Sequence, residues 1–428
     1  MHRFLSAALL LVPFLCLAQS ETVCIENGKV FDGETFHERT LCMQDGRFVE
    51  PPAANASVET IDAAGRFLLP PYAESHTHTF FGGERSKATS DALLSQGVFY
   101  ALSANNPNRV ADDYRAWTPG TDDERKAKVD VLFTNGGFTM TEGHPVPLYR
   151  RIHTQYRGQP EETFLESARE SVFFQVDSID ELDDKWPRFL EQGSDLVKIY
   201  LLHSDQKEMA GESARGGLSR EGLTPEVAAA VVRRAKDEGL RVIAHIESAA
   251  DIRIALDAGV DALAHLPYNI MGSAATITEL RAISDELAQR LADTGTAVIT
   301  TASLGFRQLE TDRPPADGAQ REELLEANLL RMARAGGQLL VGSDMNSPVP
   351  EALALHDHGP WSAAEVLRLW TVETPRWLFP DRAIGRLAPG YEASVIGIDG
   401  DPLSDFAAVG QVVLAIKQGV VLQRRPDG

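Results

Sequence analysis

Residues 67–78 have the sequence FLLPPYAESHTH, an apolar run that ends with two histidines one residue apart. Successive side chains of a β-strand point to opposite faces, so His76 and His78 fall on one face and can ligate one metal ion. A second H-x-H motif, at residues 356–358, lies in polar sequence. Because only the first motif ends a strand-like run, we expect His76 and His78 to be the functional pair.

From residue 67 onward, short apolar runs alternate with longer amphipathic runs, a pattern typical of βα units that close into a parallel barrel. The runs that predict strands are residues 67–78, 97–102, 130–137, 196–201, 241–246, 262–267, 297–302 and 338–345. The runs that predict helices are residues 224–240, 248–260, 276–295 and 319–336, each with a glycine at or near its end. The predicted fold class is therefore α/β, a TIM (β/α)8 barrel over residues 67–382. Residues 138–195 are irregular, and within them residues 139–160 predict an active-site loop plus a helix.

The two ends of the chain differ from this pattern. Residues 21–66 and 383–428 contain short β-like runs joined by DG and NG turns, which are typical of hairpins. We expect the two ends to form one small β-sandwich domain beside the barrel.

Two cysteines lie in the first of these ends, in short β-like runs. If Val30 pairs with Phe36 in a hairpin, the same register places Cys24 opposite Cys42, at a Cα separation that a disulfide accepts. A disulfide is predicted if the protein is exported, and two buried free thiols are the alternative.

Residues 1–20 predict a secretory signal peptide, with a short basic start, an apolar run and small or polar residues before the expected cleavage point. The apolar run, residues 7–18, is shorter than the ~20 residues that a membrane anchor needs. We therefore expect a periplasmic or secreted protein that has no membrane association after cleavage.

The charge balance bears on the partners. The chain has 41 Lys plus Arg against 62 Asp plus Glu, a net charge of −21, and proteins that bind nucleic acid or anionic membranes need clustered basic residues. We expect a small-molecule substrate and no nucleic acid, and the sequence leaves a homo-oligomer open. With 43% hydrophobic residues, the composition is that of a globular protein.

Polar side chains stand in or just after several of the predicted strands. They are Lys198 on strand four, His245 on strand five, His265 on strand six and Asp344 on strand eight. Each alone has an ordinary explanation, such as a core histidine or a helix cap. In a parallel barrel, however, active-site groups gather at the carboxyl ends of the strands. Together with His76 and His78, these residues predict a metal site.

The segments that carry these residues resemble the amidohydrolase superfamily, specifically its binuclear members related to dihydroorotases, hydantoinases, isoaspartyl dipeptidases and prolidase-like secreted enzymes. The similar segments are LLPPYAESHTH, LVKIYL, VIAHIES, GVDALAHLP, VGSDM and GRLAPGYEASVIGIDGDPL. The resemblance covers nearly the whole chain after the signal peptide.

The resemblance implies two divalent metal ions. Zinc suits the ligands best, and manganese or cobalt are the alternatives. The implied ligands are His76, His78 and Asp344 for one ion and His245 and His265 for the other. Lys198, carboxylated by carbon dioxide, would bridge both ions. A hydroxide held by the two ions would attack the substrate, and Asp344 would carry its proton to the leaving nitrogen.

The implied activity is hydrolysis of an amide-type or peptide-type C–N bond in a small substrate, with dipeptidases and N-acyl amino acid hydrolases as the leading classes. His144 would stabilise the oxyanion, and a surface-loop histidine is the alternative. Tyr200 shares a strand face with Lys198 and would contact substrate, unless it packs inside the barrel. Further candidates for binding a substrate carboxylate are His203, Arg85, Arg115 and Arg151.

Two other functions remain to be weighed. A mononuclear-metal deaminase of a nucleobase-like ring would lack the lysine of strand four and carry a glutamate three residues after the histidine of strand five. Here Lys198 is present, and Glu247 stands two residues after His245. A non-catalytic, amidohydrolase-like binding protein would lack ligands, and none is missing from the sequence.

Overall fold

The computed structural model describes residues 22–53, 57–117, 126–156, 158–164, 168–202, 204, 221–267, 281–309, 318–344 and 347–424. The predicted signal peptide, residues 1–20, lies outside this range, as does His203. Among the described helices, none is both long enough and apolar enough to cross a bilayer.

The strands are numbered in chain order. They are β1 Val23–Glu26, β2 Lys29–Phe31, β3 Phe36–Glu38, β4 Leu41–Gln44, β5 Arg47–Val49, β6 Glu59–Asp62, β7 Phe67–Leu69, β8 Tyr72–Thr77, β9 Val98–Ser103, β10 Asp130–Phe133, β11 Gly137–Thr139, β12 Phe173–Gln175, β13 Leu196–Tyr200, β14 Arg241–His245, β15 Ala262–Leu263, β16 Ala297–Ile299, β17 Leu339–Leu340, β18 Val395–Ile398, β19 Val412–Lys417 and β20 Val420–Arg424.

The α-helices are likewise numbered in chain order. They are α1 Gly83–Ser95, α2 Asn108–Ala116, α3 Val146–Arg151, α4 Ile179–Leu190, α5 Pro225–Asp237, α6 Ala249–Ala258, α7 Asp285–Thr294, α8 Ala302–Leu309, α9 Gly318–Ala335, α10 Val349–His358, α11 Ala363–Arg368 and α12 Thr374–Leu378. π-helical turns occupy Ile152–Tyr156 and Leu369–Glu373, and 3₁₀ turns occupy Glu161–Thr163 and Phe406–Gly410.

The two ends of the chain form two sheets. One has the order β5-β4-β1-β6, and the other has the order β20-β19-β18-β7-β2-β3, so the second sheet contains strands from both ends. Side chains from both sheets, among them Ile25, Phe48 and Leu414, belong to one buried apolar cluster.

The first predicted strand, residues 67–78, is wrong as a single element. It is divided into β7 and β8 at Pro70-Pro71, and β7 pairs with β2 and β18 in the terminal sheet. The two prolines cannot donate a ladder hydrogen bond, so the chain leaves one sheet there and enters another. The terminal sheet therefore includes residues up to Leu69 and extends beyond the expected limit at residue 66.

The central part of the chain forms two parallel sheets, one of order β10-β9-β8 and one of seven strands, β12-β11-β13-β14-β15-β16-β17. Strands that follow one another along the chain are mostly neighbours, as the alternation of apolar and amphipathic runs predicts. The third predicted strand, residues 130–137, is interrupted, because β10 ends at Phe133 and β11 begins at Gly137.

The stretch from residue 138 to 195 is more regular than expected, since it also contains β12 and α4. Helix α4 begins after Ser178, whose side chain accepts the N–H of Glu181, and it buries Leu182, Trp186 and Phe189 at helical spacing. Both features are visible in the sequence as start signals for a helix. Pro187 lies inside the helix, however, and a proline at such a position argues against a helix in the sequence.

Helices α6 and α7 begin after capping serines. Helix α6 starts with a capping box in which Ser248 and Asp251 each accept the other's backbone N–H, and it ends at Gly259 with φ 82°. Helix α7 starts at Asp285, after the cap Ser284, so it is shorter than the predicted run 276–295. Residues 276–280 of that run lie outside the described residues.

A buried aromatic pair fixes the strand that carries the first histidines. The ring of Tyr72 stacks on Trp370 with centroids 3.7 Å apart, and Trp370 Nε1 donates to the carbonyl of Ala73 at 2.9 Å. Both side chains are fully buried. Strand β8 is therefore anchored from its first residue.

Cys24 and Cys42 are directly paired across β1 and β4, and their sulfur atoms lie at bonding distance. The register assumed for this pairing was wrong by one residue, because Val30 pairs with His37, and β2 lies in a different sheet from β1. The cysteines nevertheless meet, because β1 and β4 pair in the register that the sequence predicts for the hairpin, with Cys24 opposite Cys42.

If the mature protein carries this disulfide, Cys24→Ala/Cys42→Ala should lower the free energy of unfolding by about 3 kcal/mol, since a bond across this loop restricts the unfolded chain. Urea unfolding with and without reductant measures this. Reductant should destabilise the wild-type protein and leave the double variant unchanged. Two free thiols in the unreduced mature protein would contradict the prediction.

Candidate functional site

Six of the residues predicted as metal ligands lie at or near the carboxyl ends of the central strands. They are His76 and His78 at the end of β8, Lys198 on β13, His245 at the end of β14, His265 after β15 and Asp344 after β17. Lys198, His245, His265 and Asp344 lie on or just after strands of the seven-stranded parallel sheet, whose carboxyl ends share one edge. His76 and His78 lie at the end of β8 in the other parallel sheet, and the N–H of Ser75 on β8 donates to the carbonyl of Val341 just after β17.

The first group joins the two histidines of β8 to Asp344. The Nε2 atoms of His76 and His78 lie 3.1 Å apart, and they lie 3.3 and 3.0 Å from Asp344 Oδ1. His76 Nδ1 donates to the carbonyl of Ala264 at 2.5 Å, which leaves its Nε2 free to ligate. These three side chains therefore direct their ligand atoms at one point.

The second group contains the other two histidines. His265 Nε2 lies 2.7 Å from His245 Nδ1, and His265 Nδ1 donates to the carbonyl of Leu266 at 3.1 Å. The rings of His76 and His265 are 6.3 Å apart, so the two groups are adjacent. His245 Nε2 is buried, and no described residue forms a hydrogen bond with it.

Burial keeps three of the candidate ligand histidines neutral. It lowers the pKa of His76 and His245 well below the ordinary value, and it also lowers the pKa of His265. A metal ion requires the neutral imidazole. Asp344 behaves differently, because burial would raise its pKa but the contacts with His76 and His78 hold that pKa well below its ordinary range.

Lys198 lies among these groups. Its side chain is buried, burial lowers its pKa to about 7, and Asp344 opposes that shift. The charge of Lys198 in turn lowers the pKa of His76, His245 and His265. Gly137 on β11 provides the space, since a Cβ there would lie 3.2 Å from Lys198 Cβ and 2.7 Å from Tyr200 Cε2.

The two predicted substrate contacts pack against the second group. The ring of His144 stacks on His245 with centroids 4.4 Å apart, and Tyr200 lies 5.5 Å from His144 and 5.6 Å from His245. Burial lowers the pKa of His144 to about 4 and raises that of Tyr200. Both side chains are therefore neutral groups beside the candidate ligands.

The three arginine candidates do not join the site. Arg115 is paired with Asp195 at 2.7 Å, so its charge is already compensated. Arg151 bonds Gln155 and is exposed, as is Arg85 on α1. His203 is outside the described residues.

The second H-x-H motif lies on helix α10. His356 stacks on Phe406, whereas His358 stacks on Phe306. Residues two apart on a helix point in different directions, so the two rings do not converge as they do on a strand. His358 instead lies 3.1 Å from Glu326, and these side chains are partly exposed.

Two acidic residues of the site were not predicted. Glu74 is fully buried next to His76, and burial raises its pKa to about 8. Glu247 Oε1 lies 3.6 Å from His245 Nε2. A carboxylate two residues from a predicted ligand histidine is a visible signal for both, although the sequence does not say which contacts they make.

The described residues fit at least one divalent metal ion. The ligand atoms of His76, His78 and Asp344 all lie within 4.8 Å of one another, and burial keeps the imidazole of His76 neutral. In the adjacent group, no described residue forms a hydrogen bond with the buried Nε2 of His245. Imidazole nitrogens together with a carboxylate suit zinc and other divalent transition metals.

The fold and site thus define a parallel α/β protein whose strand ends carry a set of histidine and aspartate side chains that could bind metal. The model of the Amidohydrolase family matches residues 203–422, about half of the chain, and the chain belongs to that family. The resemblance to the amidohydrolase superfamily is confirmed, and the predicted class, a hydrolase of carbon–nitrogen bonds, agrees with it.

Curated relatives are imidazolonepropionases. The protein of Pseudomonas paraeruginosa is 24% identical over 385 residues, which cover 84% of this chain and 82% of the relative. The match to the Pseudomonas putida protein is 33% identical but spans only 24% of that protein's length.

Solved structures share the fold. The ochratoxinase of Aspergillus niger has a TM-score of 0.72 at 18% identity and covers 96% of this chain and 97% of its own. A Xaa-Pro dipeptidase with bound methionine has a TM-score of 0.71 at 18% identity, covering 94% and 100%. At these identities the likeness establishes the fold alone.

In metal-free protein, Lys198→Met should increase the free energy of unfolding, by an amount on the order of 3 kcal/mol at pH 6.5. The native pKa of Lys198 lies below its unfolded value, so the cost of burying the lysine is fully present below pH 7. That cost declines as the pH rises toward the unfolded pKa of about 10.4. The gain from the substitution should therefore decline between pH 7 and pH 10.

Urea unfolding of chelator-treated protein at several pH values measures this gain. Lys417→Met is the matched control, because Lys417 is equally buried but is paired with Asp130 at 2.7 Å. The control should lose stability, since Asp130 loses a partner. If Lys198→Met instead lowers the free energy of unfolding at pH 6.5, Lys198 is not a buried amine whose charge destabilises the fold.

Proposed function

We propose that the protein is a binuclear metal-dependent hydrolase that cleaves a C–N bond of a small substrate. The observation that carries the proposal is the convergence of the Nε2 atoms of His76 and His78 on Asp344 Oδ1, at 3.0–3.3 Å, beside the His245 and His265 pair. His76, His78 and Asp344 would hold one ion, and His245 and His265 the other.

Bound divalent ions would polarise the scissile carbonyl and lower the pKa of water to about 7. Asp344 is held as an anion by its contacts with His76 and His78, so its carboxylate can accept a proton and pass it to the leaving nitrogen. His144 is neutral, and an N–H of its imidazole can donate a hydrogen bond to the oxyanion. Tyr200 packs against His144 and would orient that ring or contact substrate directly.

Lys198 is proposed to carry a carboxylate formed with carbon dioxide. The neutral amine attacks the carbon, a new N–C bond forms, one C=O π bond opens onto oxygen, and the nitrogen releases one proton to water. The product is a carbamate whose single negative charge is shared by two oxygens, and these oxygens could bridge two cations. Burial, which lowers the pKa of Lys198 to about 7, supplies the neutral amine that this addition requires.

The substrate class follows from the family and remains a proposal. Dipeptides and N-acyl amino acids are the first candidates, in keeping with the Xaa-Pro dipeptidase among proteins of this fold. Cyclic amides are the second, in keeping with the imidazolonepropionase relatives. Zinc is the ion that we propose, because three or four histidines with carboxylates suit it best.

We further propose that the two parallel sheets are parts of one (β/α)8 barrel and that the terminal sheets form a β-sandwich. Ser75 N donates to Val341 O at 3.0 Å, which links β8 to the residues after β17, and Asp195 N donates to Phe133 O at 2.8 Å, between β10 and β13. The common apolar cluster of the terminal sheets supports the sandwich. Export to the periplasm or beyond is proposed from the signal-peptide pattern of residues 1–20, and it would allow Cys24 and Cys42 to form a disulfide.

Elemental analysis of the mature protein should give close to two divalent ions per chain, and Lys198→Ala should lose both metal and hydrolysis. Short carboxylates such as formate or acetate should restore part of the activity, because they can replace the missing bridge. A Lys198→Ala variant with normal turnover and no added carboxylate would rule out the bridging role.

A panel of L- and D-dipeptides, N-acyl amino acids and cyclic amides should identify the substrate by the amine or ring-opened product. A deaminase would instead release ammonia from an amino-substituted ring. If metal-loaded protein binds members of the panel without turning any over, the protein is a non-catalytic binding protein and the proposed hydrolase function is wrong.

A further inference from the structure

A buried carboxylate, Glu74, links the two strand ends that carry the first group of ligands. Its Oε1 accepts the backbone N–H of His76 at 2.8 Å and that of Ser343 at 2.9 Å, and its Oε2 lies 3.2 Å from the same Ser343 nitrogen. Those amides belong to a candidate ligand on one side and to the residue before Asp344 on the other. One side chain therefore spans from β8 to the segment after β17.

The same two segments also approach each other directly. Asp344 N donates to His76 O at 2.7 Å. A Cβ at Gly342 would lie 2.9 Å from His76 N and 2.7 Å from Ser75 Oγ, so only glycine allows this approach. The distance between His76 and Asp344 thus depends on how closely the backbones meet, and Glu74 is the side chain that bonds to both.

We infer that Glu74 is a positioning residue that sets the spacing of the ion site formed by His76, His78 and Asp344. The inference rests on the metal site proposed above. Glu74 has no contact with that ion in this role. It acts by fixing the backbone N–H groups of two residues. One is His76, which carries an imidazole of the site, and the other is Ser343, which directly precedes Asp344.

The chain contains a matched carboxylate at a neighbouring strand end. Glu351 is also fully buried, and it accepts bonds from Thr300 Oγ1 at 2.5 Å, Ala302 N at 2.8 Å and Ser303 N at 2.8 Å. It secures the end of β16, which contributes none of the six candidate ligands. Substitution of Glu351 should therefore affect stability without affecting this ion site.

The test compares Glu74→Ala and Glu74→Gln with Glu351→Ala in the full chain, stripped of metal and titrated with Co²⁺ or Zn²⁺ at one fixed pH. Glu74→Ala should weaken one of the two bound ions about 10- to 100-fold, the usual effect of losing a group that orients a ligand. Glu351→Ala should bind both ions like the wild type. Both alanine variants should show lower thermal unfolding midpoints without metal.

Glu74→Gln should retain most of the affinity, because its amide oxygen can still accept both backbone N–H groups. If Glu74→Ala does not fold, Glu74→Asp decides, since its shorter side chain cannot bridge both amides and should weaken the same ion. Wild-type affinity in Glu74→Ala or Glu74→Asp, or an equal loss in Glu351→Ala, would overturn the inference. A wild-type protein that binds no metal would instead contradict the proposed function.

Discussion

The contact between the first and last strands of the central region determines where the candidate site can form. Ser75 and Asp344 donate their backbone N–H groups to Val341 and His76, so the chain segments that carry the first group of ligands are joined by main-chain hydrogen bonds. Residues 266 to 268 positions apart in sequence become neighbours in this way. The stacked pair of Tyr72 and Trp370 then holds β8 from the other side. Ligands at the ends of these strands converge because the strands themselves cannot move apart without breaking several buried bonds.

Burial imposes the second constraint on the site. Four of the six candidate ligands, His76, Lys198, His245 and His265, are buried, and an uncompensated charge is costly there. The imidazoles of His76, His245 and His265 respond by remaining neutral, and Lys198 loses much of its basicity. The resulting group has lone pairs but few positive charges, which is the electrostatic environment that a divalent cation needs. The aromatic rings of His144 and Tyr200 complete the enclosure around His245 without adding charge.

The sequence predicts which polar side chains come together better than it predicts the strands. His76, His78, His245, His265 and Asp344 follow apolar runs, and the rule that strand ends meet is enough to bring them together. The boundary at Pro70-Pro71 is missed because an apolar run does not reveal which of two sheets each half joins. Helix α4 is missed because Pro187 lies within it, and a proline inside a run argues against a helix even where a capping residue precedes the run. The register of the cysteine strands is assigned to the wrong hairpin, since alternation alone does not say which strands are neighbours.

The contacts of Glu74 could not be predicted either, because they depend on backbone conformation that no periodicity encodes. Asp344 has φ 57°, in the left-handed region that aspartate tolerates better than most residues. That conformation lets its N–H bond His76 O while its side chain approaches His76 and His78. Thr301, at the end of β16, has φ 42°, which is unusual for a β-branched residue, and its N–H bonds the carbonyl of Gly342. The hydrogen bond from Asp344 N to His76 O offsets the strain at Asp344, so the carboxylate can reach the histidines.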